Sequence, residues 1–207
     1  MKRLILVIVS VIFIANISNA QENELNFGIK GGLNFSNVYD SQGEDFNADP
    51  KLGFVAGVFV AIPIGEYLGF HPEILFSQKG YKASGTYLGM IDYEFKRTSN
   101  FIDLPLLFAF KPAGMLTLVA GPQYSYLIKQ TDDFTSGDFS EQQEEEFEND
   151  NLRENILCFL GGVDINFSNI VLGARAGWDI QNNNGDGTST DPRYKNVWYQ
   201  ATLGLRF

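Results

Sequence analysis

One cysteine in 207 residues, Cys158, leaves no partner for an internal disulfide, so a cross-linked secreted scaffold is excluded. Basic residues are also scarce, 15 Lys and Arg against 25 Asp and Glu for a formal charge of −10. That sign argues against a nucleic-acid partner. Nowhere do apolar residues recur every three to four positions in a sustained way, which argues against a helical architecture. The one long uncharged apolar run stands at the amino terminus.

That run, MKRLILVIVSVIFIANISNA, sets Lys2 and Arg3 before an apolar segment from Leu4 and closes on Ser18 and Ala20. It reads as a secretory signal, residues 1–20, cut after Ala20. The run is short for a membrane helix, and no cysteine near the cut would carry a lipid anchor. Without Lys2 and Arg3 the remaining 187 residues hold 13 basic side chains against 25 acidic, a charge of −12. They are enough for one domain, 21–207. With 21 glycines and 14% aromatic residues, the composition suits many strands and turns.

What is present is alternation. In NFIDLPLLFAF the residues Ile102, Leu104, Leu106, Phe108 and Phe110 share one face, opposite Asp103, Pro105, Leu107 and Ala109. A turn with Pro112 and Gly114 leads into LTLVAGPQYSYLIK, whose greasy face ends in Tyr124 and Tyr126. The same period-two pattern predicts strands in FGIKGGLNFS, KLGFVAGVFVAIPI, YLGFHPEILFSQKGYK, ILCFLGGVDINF, IVLGARAGWDI and VWYQATLGLRF, making eight strands. Short connections near 63–66, 111–115 and 168–169 alternate with long loops near 37–50, 80–98, 129–153 and 181–195. Eight antiparallel strands of this kind, apolar on one face and rimmed by aromatics, predict an all-β, up-and-down transmembrane β-barrel. Closing the sheet gives every backbone group a partner in lipid.

The other face of these strands carries Lys30, His71, Glu73, Lys79, Asp103, Lys111, Asp164, Arg175, Asp179 and Arg206. A soluble sandwich would not bury so many charges in its core, whereas a barrel lumen can pair them. Lys30, His71, Glu73, Asp103, Asp164, Arg175, Asp179 and Arg206 are therefore expected to form a lumen charge network. Pro72, Pro105 and Pro122 fall within strands, where each removes a ladder donor. Bulges are expected there.

Five stretches in order, FGIKGGLNFSNV, HPEILFSQKGY, NFIDLPLLFAF, AGPQYSYLI and the closing LGLRF, resemble the PorT-like outer-membrane β-barrel family of Bacteroidota. The resemblance covers most of the mature chain and implies an eight-stranded barrel in the outer membrane. It implies little chemistry, and its alternative function is an accessory part of the secretion and gliding machinery. The acidic stretch after Lys129 departs from the family by its length, and Asp103 stands where Glu is expected.

Three sites invite a chemical reading. His71, Glu73 and Ser77 share one face of one strand, and some eight-stranded barrels are lipid-A hydrolases using His, Ser and Glu. Residues two apart on a strand lie about 7 Å apart, and such an enzyme needs its hydroxyl on the imidazole and facing lipid. His71 is instead expected to be a lumen hydrogen-bonding residue, and no catalytic residue is assigned. The run from Asp132 to Asp150 holds nine carboxylates and no Lys or Arg. Its carboxylates could capture divalent cations, its Phe134, Phe139, Glu144, Glu145, Glu146 and Phe147 offer a loop for a basic partner, or the run is simply a solvated one. In NNNGDGTSTD, Asn182, Asn184 and Asp186 precede Gly187 as in a calcium loop, but Arg193 stands where the closing Glu belongs, so a turn is expected. No cofactor and no metal are expected. Eight strands leave a lumen that Phe59, Leu75, Leu107 and Leu160 would fill, which argues against a pore. The expectation is a non-enzymatic surface or envelope-structural protein among outer-membrane lipid and lipopolysaccharide, touching protein partners through loops or periplasmic turns.

Overall fold

The computed structural model describes residues 25–42, 48–87, 91–136, 139–145, 153–183 and 193–207. The expected signal segment lies outside the described residues, as do Glu146, Phe147 and residues 184–191. Among the described residues nine antiparallel strands are present: β1 (Asn26–Gln42), β2 (Ala48–Pro63), β3 (Leu68–Tyr87), β4 (Ile91–Ala113), β5 (Leu116–Ser136), β6 (Phe139–Glu145), β7 (Asn155–Phe167), β8 (Ile170–Asp179) and β9 (Arg193–Arg206). Eight of them run β4-β3-β2-β1-β9-β8-β7-β5 and close through the β4–β5 ladder. The eight-stranded barrel expected from the alternation is thus the architecture found. β6 is the ninth strand and stands outside the closed wall; among the described residues it pairs with the far end of β5 alone.

Alternation sets the faces. Ile29, Leu33, Phe54, Val58, Ile74, Phe108, Leu118, Leu172 and Leu203 point outward and stay exposed on the barrel wall. A water-soluble surface would not carry a continuous band of this kind, whereas lipid solvates it. Aromatic residues mark both rims of the band: Tyr67, Phe110, Phe167 and Phe207 at one end, Phe35, Tyr126, Trp178 and Tyr199 at the other.

The two ends of the barrel differ. One gathers the connections 64–67, 114–115 and 168–169 together with both ends of the described barrel, Phe27 and Phe207 exchanging backbone hydrogen bonds of 3.2 and 2.9 Å. Ser168 takes a positive φ of 51° in its two-residue turn. At the other end, stretches expected as long loops are largely paired strand. β3 and β4 stay in register out to Tyr87 opposite Ile91, through most of 80–98. β5 and β6 form a hairpin within 129–153, Gln130 facing Glu145.

The prolines do not make bulges. Pro72 faces Leu106, and the β3–β4 register is the same before it, His71 to Leu107, and after it, Leu75 to Asp103. Pro105 faces Gln123 and Pro122 faces Phe159 without a shift. Alternate residues of an antiparallel strand bond to opposite neighbours, so each proline costs one hydrogen bond on one ladder and requires no inserted residue. The register shifts lie elsewhere, between Tyr39 and Gln42, Pro50 and Val55, Asn100 and Phe101, and Phe110 and Ala113.

Candidate functional site

The lumen is filled, and its polar side chains form separate clusters rather than one network. Near the middle, β1 supplies Lys30, β3 Glu73, β7 Asp164 and β8 Arg175. Lys30 Nζ donates to Glu73 Oε1 at 2.7 Å. Arg175 Nη1 donates to both Glu73 oxygens at 2.9 and 2.8 Å, while Nη2 reaches Asp164 Oδ2 at 3.1 Å. Two cations meet two anions, each residue at most 7% exposed. The cluster is neutral and hydrogen-bonded, the condition under which burying charge is tolerated.

Towards the hairpin end, Lys79 of β3 bridges Asp103 Oδ2 at 3.0 Å and lies 3.8 Å above the Trp198 ring. Ser125 donates to Asp103 at 2.6 Å and contacts Cys158, whose thiol donates to Asp179 at 3.1 Å. The Asn196 backbone amide donates to the same Asp179 carboxylate at 2.9 Å. Between the two charged groups a neutral relay of Gln200, Asn34 and Ser77 crosses the lumen through bonds of 3.0 and 2.9 Å. Beyond Lys79 the mouth is capped by Tyr81 and Tyr194, edge to face at 5.5 Å, with Arg97 donating to the Tyr194 hydroxyl at 3.0 Å.

Of the eight residues expected to share one lumen network, Lys30, Glu73, Asp164 and Arg175 are joined, and Asp103 and Asp179 belong to the second cluster. Arg206 is absent from both. It is the penultimate residue, at the turn end, where its guanidinium donates to the Ser168 carbonyl at 2.7 Å. Alternation gave it an inward position, but no wall remains above it to enclose the side chain. His71 is buried, yet its Nε2 has no hydrogen-bond partner. Ser77 bonds Asn34 and Glu73 bonds two cations, so the His71, Glu73 and Ser77 trio is not assembled as a hydrolase requires. Lys79, Ser125, Cys158, Asn196 and Trp198 of the second cluster, and Asn34, Ser77 and Gln200 of the relay, are lumen residues that sequence reasoning left out of the network. Their inward strand positions were the available signal.

Among the described residues no three His, Cys, Asp or Glu side chains are grouped to hold a metal. Phe134 is exposed on β5, and Phe139, Glu144 and Glu145 fall on β6. Asp132 and Asp133, the first acids of the expected loop, are strand residues paired with Arg97 at 2.8 Å and Lys96 at 3.0 Å.

Residues 19–184 match the outer membrane protein beta-barrel domain family. The chain belongs to that family. This barrel is therefore an outer-membrane protein. No curated protein matches the sequence. Solved structures similar to this barrel include Ail, the attachment invasion locus protein of Yersinia pestis, at 18% identity over 88% of this chain and 98% of that one, TM-score 0.45. Neisserial surface protein A is 14% identical over 87% and 97%, TM-score 0.48. OprG of Pseudomonas aeruginosa is 10% identical over 88% and 95%, TM-score 0.40.

Proposed function

We propose that this barrel is a non-enzymatic surface protein whose hairpins, held above the membrane, are its contact face. The observation that carries this reading is the length of the strands. A transmembrane strand needs about 9–11 residues, whereas β3 has 20, β4 has 23 and β5 has 21. At roughly 3.3 Å per residue and a tilt of about 40°, the surplus of some ten residues lifts the hairpins about 25 Å beyond the apolar band. The lumen beneath is filled with paired charges, which leaves the projecting β-structure as the part available to a partner. In bacterial barrels the short turns face the periplasm and the long connections face outside, so these hairpins point away from the cell.

A second reading makes the barrel an accessory component of secretion or gliding machinery, as its PorT-like motifs suggest. It would then work through the periplasmic end, where Asn169 and Arg206 brace the Ser168 turn with bonds of 2.8 and 2.7 Å. Photoreactive residues at Phe134 and at Ser168, followed by mass spectrometry of adducts in living cells, separate the two. Specific adducts at Phe134 support the surface reading. Envelope-protein adducts at Ser168 alone would replace it with the machinery reading.

A further inference from the structure

Outside the wall, where the apolar band gives way to the projecting hairpins, β1 to β5 enclose a groove of about 770 Å³. Among the described residues its lining includes Lys51, Lys82, Lys96 and Lys129 and one carboxylate, Asp133. In a chain with a net charge of −10, this is a local excess of cations among the described residues. The apolar edge of the groove is Phe35 and Leu52, which belong to the lipid-facing band. Cationic above and greasy below, the groove has the polarity of a lipid at the membrane surface.

Two backbone irregularities build it. A register shift lies between Pro50 and Val55, and within it the Lys51 stem lies against Gly80. Gly80 has a φ of +152°, and a Cβ there would lie 2.0 Å from the Arg97 carbonyl and 3.3 Å from Lys51 Cδ. The φ and the Arg97 carbonyl are what require glycine here, and the missing side chain leaves room beside the Lys51 stem. The second shift, between Asn100 and Phe101, falls where β5 passes from Leu127 to Lys129 and leaves both Ile128 and Lys129 exposed on the wall. One residue meets acyl chains and the next meets headgroups. Lys96 is held by Asp133 at 3.0 Å, Lys82 lies 3.9 Å from Glu94, and Lys129 makes a contact of its own. Lys51 is within ion-pair distance of no carboxylate among the described residues, although it is 95% buried by its neighbours.

We propose that this groove binds the phosphorylated sugar headgroup of a lipid-A-type glycolipid of the outer leaflet, with Lys51 and Lys129 on the phosphate and acyl chains along Phe35 and Leu52. The proposal rests on the surface reading for its choice of leaflet, since the hairpin end must face out for the groove to meet this lipid. The binding chemistry itself does not depend on that orientation.

The test uses the whole mature barrel in detergent micelles and native mass spectrometry. Wild type, K51Q/K129Q and a control at the turn end, K111Q, are each titrated with lipid A, enzymatically dephosphorylated lipid A, phosphatidylglycerol and inorganic phosphate. Circular dichroism checks that each variant is folded. Each lysine near a charged membrane surface is worth about a fivefold change in affinity, so K51Q/K129Q should bind lipid A roughly 30-fold more weakly. K111Q should bind as wild type does, and dephosphorylated lipid A should bind poorly to all three. Equal binding of lipid A by wild type and K51Q/K129Q would overturn the proposal, as would indifference to the phosphate. Preference for phosphatidylglycerol would overturn the leaflet and with it the surface reading. Inorganic phosphate competing at equal affinity would replace the lipid by a soluble anion.

Discussion

Replacing Glu73 by alanine is the sharpest stability test of the lumen. Its carboxylate is 1% exposed and accepts from Lys30 at 2.7 Å and from Arg175 at 2.8 Å, themselves 4% and 1% exposed at the side chain. Without it, two buried cations share only Asp164, which touches Arg175 and not Lys30. Removing one member of a buried pair costs about 3–5 kcal/mol, because the surviving charge is stranded in a low-dielectric site. Two cations are stranded here, so Glu73→Ala should fall at the upper end of that range. Adding Lys30→Met restores a neutral Arg175–Asp164 pair. The double variant should therefore recover about 1–3 kcal/mol relative to the sum of the single changes. The exposed Lys82–Glu94 pair, at 3.9 Å, supplies the contrast, and its loss should cost less than about 1 kcal/mol. Urea titration in lipid vesicles, followed by fluorescence of Trp178 and Trp198, measures all of these. A Glu73→Ala barrel within about 1 kcal/mol of wild type would refute the reasoning.

Three further outcomes follow from the same geometry. Gly177→Ala would place a Cβ 2.3 Å from the Trp198 ring, and urea titration should show a loss of about 1–3 kcal/mol from overpacking. Trp198→Ala removes a fully buried ring and the π face over which Lys79 sits at 3.8 Å, so the same titration should show about 3–5 kcal/mol lost. Planar-bilayer recordings of the wild type should show no steady conductance, because Leu75, Leu107 and Leu160 are wholly buried among the lumen charges.

How much of this was legible in the sequence varies with the physics behind each feature. Alternation reports which face a residue takes, so the lipid-facing residues, most of the inward charges and the eight strands of the wall could be read directly. The outer halves of β3, β4 and β5 could not. Their ladders carry charged and polar partners, such as Arg97 with Asp132 and Lys96 with Asp133, in place of an apolar stripe. With no hydrophobic period to follow, those stretches read as loops. The pairing of lumen charges was equally hidden: Lys30 and Glu73 lie 43 positions apart and Glu73 and Arg175 lie 102 apart. Those partners meet only once register and closure are fixed. The prolines misled for another reason, because a single missing donor is absorbed by one ladder without shifting it. The cationic groove was invisible because its lysines come from four strands and are gathered by two register shifts that the sequence does not announce.

Orientation is the claim on which the functional account turns, and one labelling experiment tests it. In a Cys158→Ser background, in which the serine hydroxyl keeps a donor for Asp179, single cysteines are placed at Thr135 on the hairpin end and at Ser168 on the turn end. Intact cells are then treated with a membrane-impermeant maleimide. Labelling at position 135 in intact cells, and at 168 only after the outer membrane is permeabilised, is the expected result. Labelling of 168 but not 135 in intact cells would contradict it, turning the projecting hairpins towards the periplasm and removing them as a surface contact.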